Sequence, residues 1–162
     1  MKKLLLLAVA VVMSANIASS QVTPPVKYQG ELDFGYSLGV GLLPFDRVYL
    51  HTIQAAKIGD YFSVGIGTGF DMYYMEGSVY LPLYLDLAGY LPTSSRNSLI
   101  FSFDIGTCLD LDDRHSWLYV TPAFGIKTGM FKIQLGYNIW KYSRVLGLPS
   151  IDALQLKMGI VF

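Results

Sequence analysis

The sequence has little of what small domains commonly use for stability or catalysis. It contains one cysteine, Cys108, so no disulfide can form within the chain. Only 15% of residues are charged, and 12 Lys+Arg balance 12 Asp+Glu, which excludes the basic surface of a nucleic-acid-binding protein. Beyond residue 20 the longest uncharged stretches are about a dozen residues, whereas a membrane-spanning helix needs roughly 20. Although 52% of its residues are hydrophobic, this part of the chain cannot cross a bilayer as a helix.

The N-terminal segment has the composition of an export signal. Lys2 and Lys3 form a basic start, residues 4–13 are apolar, and Ala18 and Ser20 fit the small-residue positions of a cleavage site. We therefore expect a signal peptide over residues 1–20 and a short N-terminal extension over 21–27. The remaining domain spans residues 28–162.

Large apolar residues alternate with small or polar residues along most of this domain. In the first such segment Leu32, Phe34 and Tyr36 occupy one set of alternate positions, which we call one parity of the strand. Asp33 and Gly35 occupy the other parity. This period of two predicts β-strands with one apolar face. The clear strands are Glu31–Leu42, Phe62–Met72, Val79–Ala88, Leu99–Gly106, Leu118–Lys127, Phe131–Ile139 and Leu154–Phe162.

An eighth strand, Arg47–Ile58, alternates less cleanly. A loop of residues 59–61 would pair Ile58 with Phe62 and would keep Lys57 off the apolar face. The same register leaves Gln54 on that apolar face, so we expect a β-bulge near Gln54.

Eight antiparallel strands joined by short connections predict an all-β fold, an up-and-down barrel that closes on itself. A soluble carrier of the lipocalin kind would place the apolar face inside, whereas a transmembrane barrel would place it outside. The polar parity is rich in glycine, as in Gly65, Gly67 and Gly69. Glycine weakens a strand that faces solvent, but it fits the narrow interior of a barrel. The sequence therefore favours the transmembrane barrel.

The connections and the aromatic residues fit this orientation. The longest outer loops are predicted at Cys108–Ser116 and Lys141–Asp152, and Leu91–Ser98 is long for an inner turn. Aromatic residues near strand ends predict two interfacial girdles. They are Tyr73, Tyr74, Trp117, Trp140 and Tyr142 at the outer end, and Tyr28, Tyr61, Tyr90, Phe131 and Phe162 at the inner end.

The last strand resembles the closing strand of Gram-negative outer-membrane β-barrels. Leu154, Leu156, Met158 and Ile160 alternate up to a terminal aromatic residue, Phe162. The whole domain resembles small OmpA-like and OmpX-like barrels, and its segments 50–53 and 61–69 are similar to outer-membrane β-barrel domain proteins. This resemblance implies that the barrel-assembly machinery reads Phe162 as a signal, and that the protein is a monomer in contact with outer-membrane lipids and lipopolysaccharide. It implies no shared catalytic residues.

Charged residues on the polar parity must pair if they are buried in a lumen. Lys127 and Lys132 flank the turn 128–130 and are expected side by side, so their partners must come from across the lumen. The residues that we expect to form one plugging network are Glu31, Asp33, Asp86, Lys127, Lys132 and Lys157.

Candidates for catalysis and metal binding are few. His115 and Ser116 are adjacent, so their side chains point apart on an extended chain and are poorly placed to act as base and nucleophile. Asp110, Asp112 and Asp113 offer carboxylates to a divalent cation without the ligand number of a dedicated loop. We expect a non-enzymatic barrel without a cofactor or a metal, acting in membrane integrity or surface interaction. The alternative is an acyl hydrolase or acyltransferase that modifies membrane lipids.

Overall fold

Eight antiparallel strands form a closed barrel in the computed structural model, which describes residues 25–40, 44–73, 77–111, 116–142 and 150–162. Each strand pairs with the next, and β1 pairs with β8 to close the sheet. The strands are β1 Val26–Val40, β2 Arg47–Ile58, β3 Phe62–Tyr73, β4 Val79–Pro92, β5 Asn97–Asp110, β6 Ser116–Thr128, β7 Phe131–Tyr142 and β8 Ile151–Val161. β1 thus begins within the segment expected to precede the barrel. Among the described residues, no helix combines the length and the hydropathy needed to span a bilayer.

The register between β2 and β3 is the one predicted from the loop 59–61. Ile58 lies opposite Phe62, and Gly59 adopts a φ of 60°, which glycine tolerates at a tight turn. The predicted bulge at Gln54 is wrong, because β2 pairs without interruption with both β1 and β3. The Gln54 side chain lies on the outer surface, where its amide accepts a hydrogen bond from the Tyr28 hydroxyl and donates one of 2.9 Å to Thr52 Oγ1. These bonds satisfy the amide without a change of register.

The connection between β4 and β5 is shorter than the sequence predicted. β4 continues to Pro92 and β5 begins at Asn97, so only residues 93–96 form the turn. The Thr93 N–H donates to the Asn97 carbonyl at 2.9 Å. The Gly129 N–H donates to the Arg96 carbonyl at 2.8 Å and ties this turn to the one between β6 and β7. We call the end with turns 59–61, 93–96 and 129–130 the turn end, and the opposite end the loop end.

The two faces of the barrel differ as the alternation predicted. Large apolar side chains such as Phe34, Leu83 and Leu135 are exposed on the outer surface. Polar and charged side chains such as Asp104 and Lys157 are buried in the lumen. This distribution is the reverse of a soluble carrier's, so the outer surface is suited to hydrocarbon and not to water.

Strand parity also decides where the aromatic residues lie. Tyr73, Tyr90 and Trp140, which we expected in the girdles, point into the lumen instead. Ile139 lies on the outer parity, so its neighbour Trp140 must face inward, where it is 0% exposed. The girdle at the turn end does have outward aromatics, namely Tyr28, Tyr61, Phe131 and Phe162. Trp117 is half-buried at the loop end, while Tyr74 and the side chain of Tyr142 lie outside the described part.

The outward position of Leu83, 48% exposed near the middle of β4, generates a prediction. Leu83→Arg should destabilise the barrel in lipid vesicles by about 2–4 kcal/mol, because a charge there must enter the hydrocarbon. Val26→Arg is the matched control: Val26 begins β1 at the turn end, where arginine should cost about 0–1 kcal/mol. Urea unfolding in vesicles measures both. Equal stability of the two variants would show that the faces are assigned wrongly.

Candidate functional site: the charged lumen

A cluster of ion pairs lies in the turn half of the lumen. The Lys132 ammonium on β7 contacts the carboxylates of Glu31 and Asp33 on β1, and its distance to Asp33 Oδ2 is 2.8 Å. Gln29 Nε2 donates to Glu31 Oε1 at 2.6 Å and to the Tyr90 hydroxyl at 2.8 Å. These five side chains are all buried. Because Lys132 contacts both carboxylates and Gln29 joins Glu31 to Tyr90, the cluster links β1, β4 and β7 across the interior.

A glycine makes this pairing possible. Gly159 on β8 lies directly between Lys132 and Asp33, opposite Lys132 in one ladder and opposite Asp33 in the other. A Cβ at Gly159 would approach Asp33 Oδ1 to 2.0 Å and Lys132 Cε to 2.8 Å. The absent side chain therefore leaves the space through which Lys132 reaches over β8 to β1.

A second ion pair crosses the middle of the lumen. Lys157 on β8 contacts the carboxylate of Asp104 on β5, and both side chains are buried. Asp86 on β4 lies opposite Asp104 in the sheet and is 2% exposed. We expected Lys157 beside Asp33, but Gly35 is its neighbour on β1, because β8 is offset along β1. Sequence reasoning missed Asp104 as the partner of Lys157.

Lys127 differs from our expectation. It lies opposite Lys132, as predicted, but in the described chain it takes part in no ion pair with a carboxylate. Its side chain is half-buried one residue before the end of β6, so its ammonium can remain near water. Two like charges on paired residues repel, and Lys132 alone holds Glu31 and Asp33.

Aromatic side chains fill the lumen above the ion pairs. Tyr84 on β4 is flanked by Gly67 on β3 and Gly106 on β5, and a Cβ at Gly67 would approach the Tyr84 ring to 2.2 Å. The Tyr84 ring stacks on Tyr119 with centroids 5.1 Å apart. Glycines on both neighbouring strands thus make room for this large inward ring.

His51 lies within this aromatic layer. His51 Nε2 is 2.9 Å from Asp71 Oδ1, and His51 Nδ1 is 3.3 Å from the Tyr84 hydroxyl. All three side chains are buried in the lumen. The pair of His51 and Asp71 resembles the base and orienting group of a hydrolase, but it faces away from the lipid side of the barrel.

Arg47 occupies the loop end of the lumen. Its guanidinium lies 3.9 Å from the centroid of the Trp140 ring, and its Nη2 donates to Asn138 Oδ1 at 2.6 Å. Stacking on an aromatic face stabilises a buried guanidinium. The sequence places Asp71 on the polar parity of β3 but outside the expected network, and Arg47 was not identified as a lumenal charge.

Asp46 lies at a defined place on the outer rim of the loop end. Asp46, between β1 and β2, accepts hydrogen bonds from the Tyr36 hydroxyl at 2.7 Å and the Gly39 N–H at 2.9 Å. These bonds, that from Tyr36 foremost, hold the pKa of the Asp46 carboxyl below its ordinary value. The contact fixes the outer end of β1 against the start of β2.

The other candidates from the sequence are only partly described. Asp112, Asp113 and His115 lie outside the described residues, while Ser116 begins β6 and Asp110 ends β5. Within the described ranges, no group of three or more His, Cys, Asp or Glu side chains is placed to hold a metal ion.

Comparisons with known proteins agree with the architecture. No family profile and no curated protein sequence matches the chain. Among solved structures it is similar to the outer membrane enzyme PagL, with a TM-score of 0.62 and 8% identity over 80% of this chain and 98% of that one. The chain has the fold of a small outer-membrane β-barrel. The architecture predicted from the sequence is thereby confirmed.

Two further structures share the likeness. Neisserial surface protein A (NspA) has a TM-score of 0.55 and 9% identity, covering 85% of this chain and 97% of that one. The Yersinia pestis outer membrane protein Ail has a TM-score of 0.46 and 12% identity, covering 84% and 100%. At 9% identity the likeness to NspA shows a common fold and leaves the activity open.

The ion pairs of the turn half generate a prediction. Lys132→Met should destabilise the barrel by roughly 3–5 kcal/mol, because it leaves Glu31 and Asp33 buried without a cation. Lys127→Met, at the directly opposite position, should change stability by about 0.5 kcal/mol or less. Unfolding in urea in lipid vesicles measures both. Similar losses for the two lysines would contradict the assignment of the pairs.

A double-mutant cycle tests which carboxylate serves Lys157. Asp104→Asn and Lys157→Met should couple by about 0.5–3 kcal/mol, because the two groups are in contact. The cycle of Asp33→Asn with Lys157→Met should show weaker coupling, since Asp33 is held by Lys132. The reverse order of coupling energies would show that the pairing described above is wrong.

Proposed function

We propose that the chain is an integral outer-membrane protein that works without enzymatic activity and without an open channel. In this proposal it supports membrane integrity or surface interaction through the loops at its loop end. The observation that carries the proposal is the division of the barrel into an apolar outer surface and a filled, ion-paired lumen. The outer surface binds outer-membrane lipids, and the lumen passes no solute.

Burial throughout the lumen supports the absence of a channel. Glu31 and Lys132 lie toward the turn end, Lys157 lies in the middle, and Arg47 lies toward the loop end, all nearly inaccessible to solvent. A barrel of eight strands leaves an interior just wide enough for side chains. Ion flow would require several ion pairs and stacked rings to separate together.

The distribution of connections supports a role at the loop end. The turn-end connections span two to four residues, whereas the loop-end connections 41–46, 74–78, 111–115 and 143–150 span five to eight. In outer-membrane barrels the longer loops face the exterior. In this proposal lipopolysaccharide and surface ligands therefore meet these loops, while the turn end faces the periplasm after a signal peptide over residues 1–20 has directed export.

Conductance in planar bilayers tests the closed lumen. The purified barrel, with insertion verified by heat-modifiable gel mobility, should give no steady ion current. A porin inserted into the same bilayer provides the positive control. Steady single-channel currents from the wild-type barrel would contradict the proposal.

The enzymatic alternative has one observation in its favour, since the similar structure PagL is described as an outer membrane enzyme. A lipid-modifying site needs an activated nucleophile at the lipid-facing surface. Among the described residues, the histidine paired with a carboxylate is His51, which is enclosed in the lumen with Asp71. The proposal therefore expects identical membrane lipids in cells with and without the chain.

Lipid analysis of a deletion strain distinguishes the two functions. We expect unchanged acylation of its lipids together with greater sensitivity to detergent, restored by the wild-type gene. Replacing His51 by Gln should restore resistance as well as the wild type does. Altered acylation that returns only with the wild type would establish the enzymatic function instead.

Phe162 provides a test of assembly. Its backbone N–H and carbonyl exchange 2.8 Å hydrogen bonds with Gly30, and its ring lies over Gly30 on the outer surface. Deleting Phe162 should lower the amount of folded barrel in the outer membrane without blocking passage through the inner membrane, because the proposed assembly signal is lost. Fractionation with heat-modifiable mobility measures this. Phe131→Ala, which changes another exposed aromatic residue of the turn end, is the control and should assemble normally. Normal assembly of the Phe162 deletion would contradict the role of Phe162 as an assembly signal.

A further inference from the structure

We propose that Asp86 and Asp104 share a single proton in the lumen, and that the stability of the barrel depends on that proton. The inference goes beyond the proposed function. A barrel that conducted ions or modified lipids would hold the same proton, so the two proposals can fail separately.

The first argument is the position of the two carboxyl groups. Asp86 and Asp104 are directly opposite each other on β4 and β5, and both side chains point inward. They are 2% and 0% exposed, so the two carboxyl groups are buried on neighbouring strands of the same lumen. A carboxylate is only an acceptor, so two neighbouring carboxyl groups can hydrogen-bond to each other only when one of them carries a proton.

The second argument is the unsatisfied oxygen on each group. Within the described chain, neither Asp86 Oδ1 nor Asp104 Oδ1 meets an N–H or O–H donor, although both atoms are buried. A buried acceptor without a donor is costly. A proton placed between the carboxyl groups supplies the missing donor.

The third argument is the balance of charge in this part of the lumen. The buried carboxyl groups are those of Glu31, Asp33, Asp86 and Asp104, while the buried ammonium groups are those of Lys132 and Lys157. Lys132 is committed to the first two carboxylates, and Lys157 contacts Asp104. Asp86 is left without a cation of its own. Two carboxyl groups at opposite positions of a buried ladder do not both ionise with one cation between them, so one proton remains.

In the described ranges the strands around this pair supply no further lysine or arginine to it. The ionisable side chains that surround the Asp86–Asp104 pair are Glu31 and Asp33 on β1, Tyr49 and His51 on β2, Asp71 on β3, Tyr84 on β4, Tyr119 on β6, Lys132 on β7 and Lys157 on β8. His51 is itself paired with Asp71. Arg47 lies farther toward the loop end, against Trp140 and Asn138. Lys57 lies over the Tyr90 ring.

The shared proton sets the sign of the pH dependence. In the unfolded chain an aspartate loses its proton above its ordinary pKa of about 3.9. The folded barrel then holds one proton more than the unfolded chain, so its stability falls as pH rises. The unfolding equilibrium constant should increase about tenfold for each pH unit until the folded pair ionises.

Infrared spectroscopy tests for the proton directly. In barrels labelled with 13C in the aspartate carboxyl carbon and reconstituted in vesicles at pH 7, we expect the C=O stretch of a protonated carboxylic acid. The band should be lost in Asp86→Asn, which folds because the asparagine amide donates to Asp104 in place of the proton. Absence of the band in the wild-type barrel would overturn the proposal, and so would its persistence in Asp86→Asn.

The pH dependence of unfolding provides the second readout. Asp86→Asn should remove the fall in stability across the neutral range, whereas the wild type should show it. Asp104→Asn is the matched contrast, because it deprives Lys157 of its carboxylate and should destabilise the barrel at every pH. If Asp86→Asn fails to fold, or if it keeps the wild-type pH dependence, the proton does not lie between these two groups.

Discussion

The closure of the sheet on itself is the constraint on which the rest of the structure depends. Once β1 pairs with β8, every second residue of each strand is directed into a lumen that only side chains can fill. The inward residues must therefore fit together and satisfy each other's charges without water. Gly159 shows how this is met, since its lack of a side chain lets Lys132 reach Asp33 across an intervening strand. On the inward parity, glycines leave the space in which the charged side chains can reach their partners.

The same constraint determines what the outer surface can do. Because polar groups are collected inside, the outward parity is left with residues such as Phe34, Leu83 and Leu135, and its natural solvent is hydrocarbon. In the proposed function the lumen passes no solute and the wall contacts lipid. The parts of the chain left for contact with other molecules are the two ends of the barrel. This is why the proposed role is placed at the loop end and not in the wall or the lumen.

Strand parity was enough to predict much of this fold from the sequence. It gave the strands, the inward position of the charges, the loop 59–61 and the opposition of Lys127 and Lys132. It does not give the contacts across the lumen, because those depend on the offset between strands that are far apart in the sheet. Lys157 therefore meets Asp104 and not Asp33. The girdles were predicted from the distance of each aromatic residue from the strand end, and this placed Trp140 wrongly on the outer surface. The parity of Trp140 already indicated that its side chain faces the lumen.

The most direct test of the filled lumen uses the single cysteine of the chain. Cys108 points into the lumen from β5, packs in the cluster of Tyr119 and Trp140, and is 0% exposed. A small charged thiol reagent should leave Cys108 unmodified in the folded barrel and should modify it after unfolding. A cysteine placed at the exposed Ser95, in a Cys108→Ser background, should react at once in the folded state. Rapid modification of Cys108 in the folded barrel would show that water fills the lumen and that the ion-paired plug does not exist.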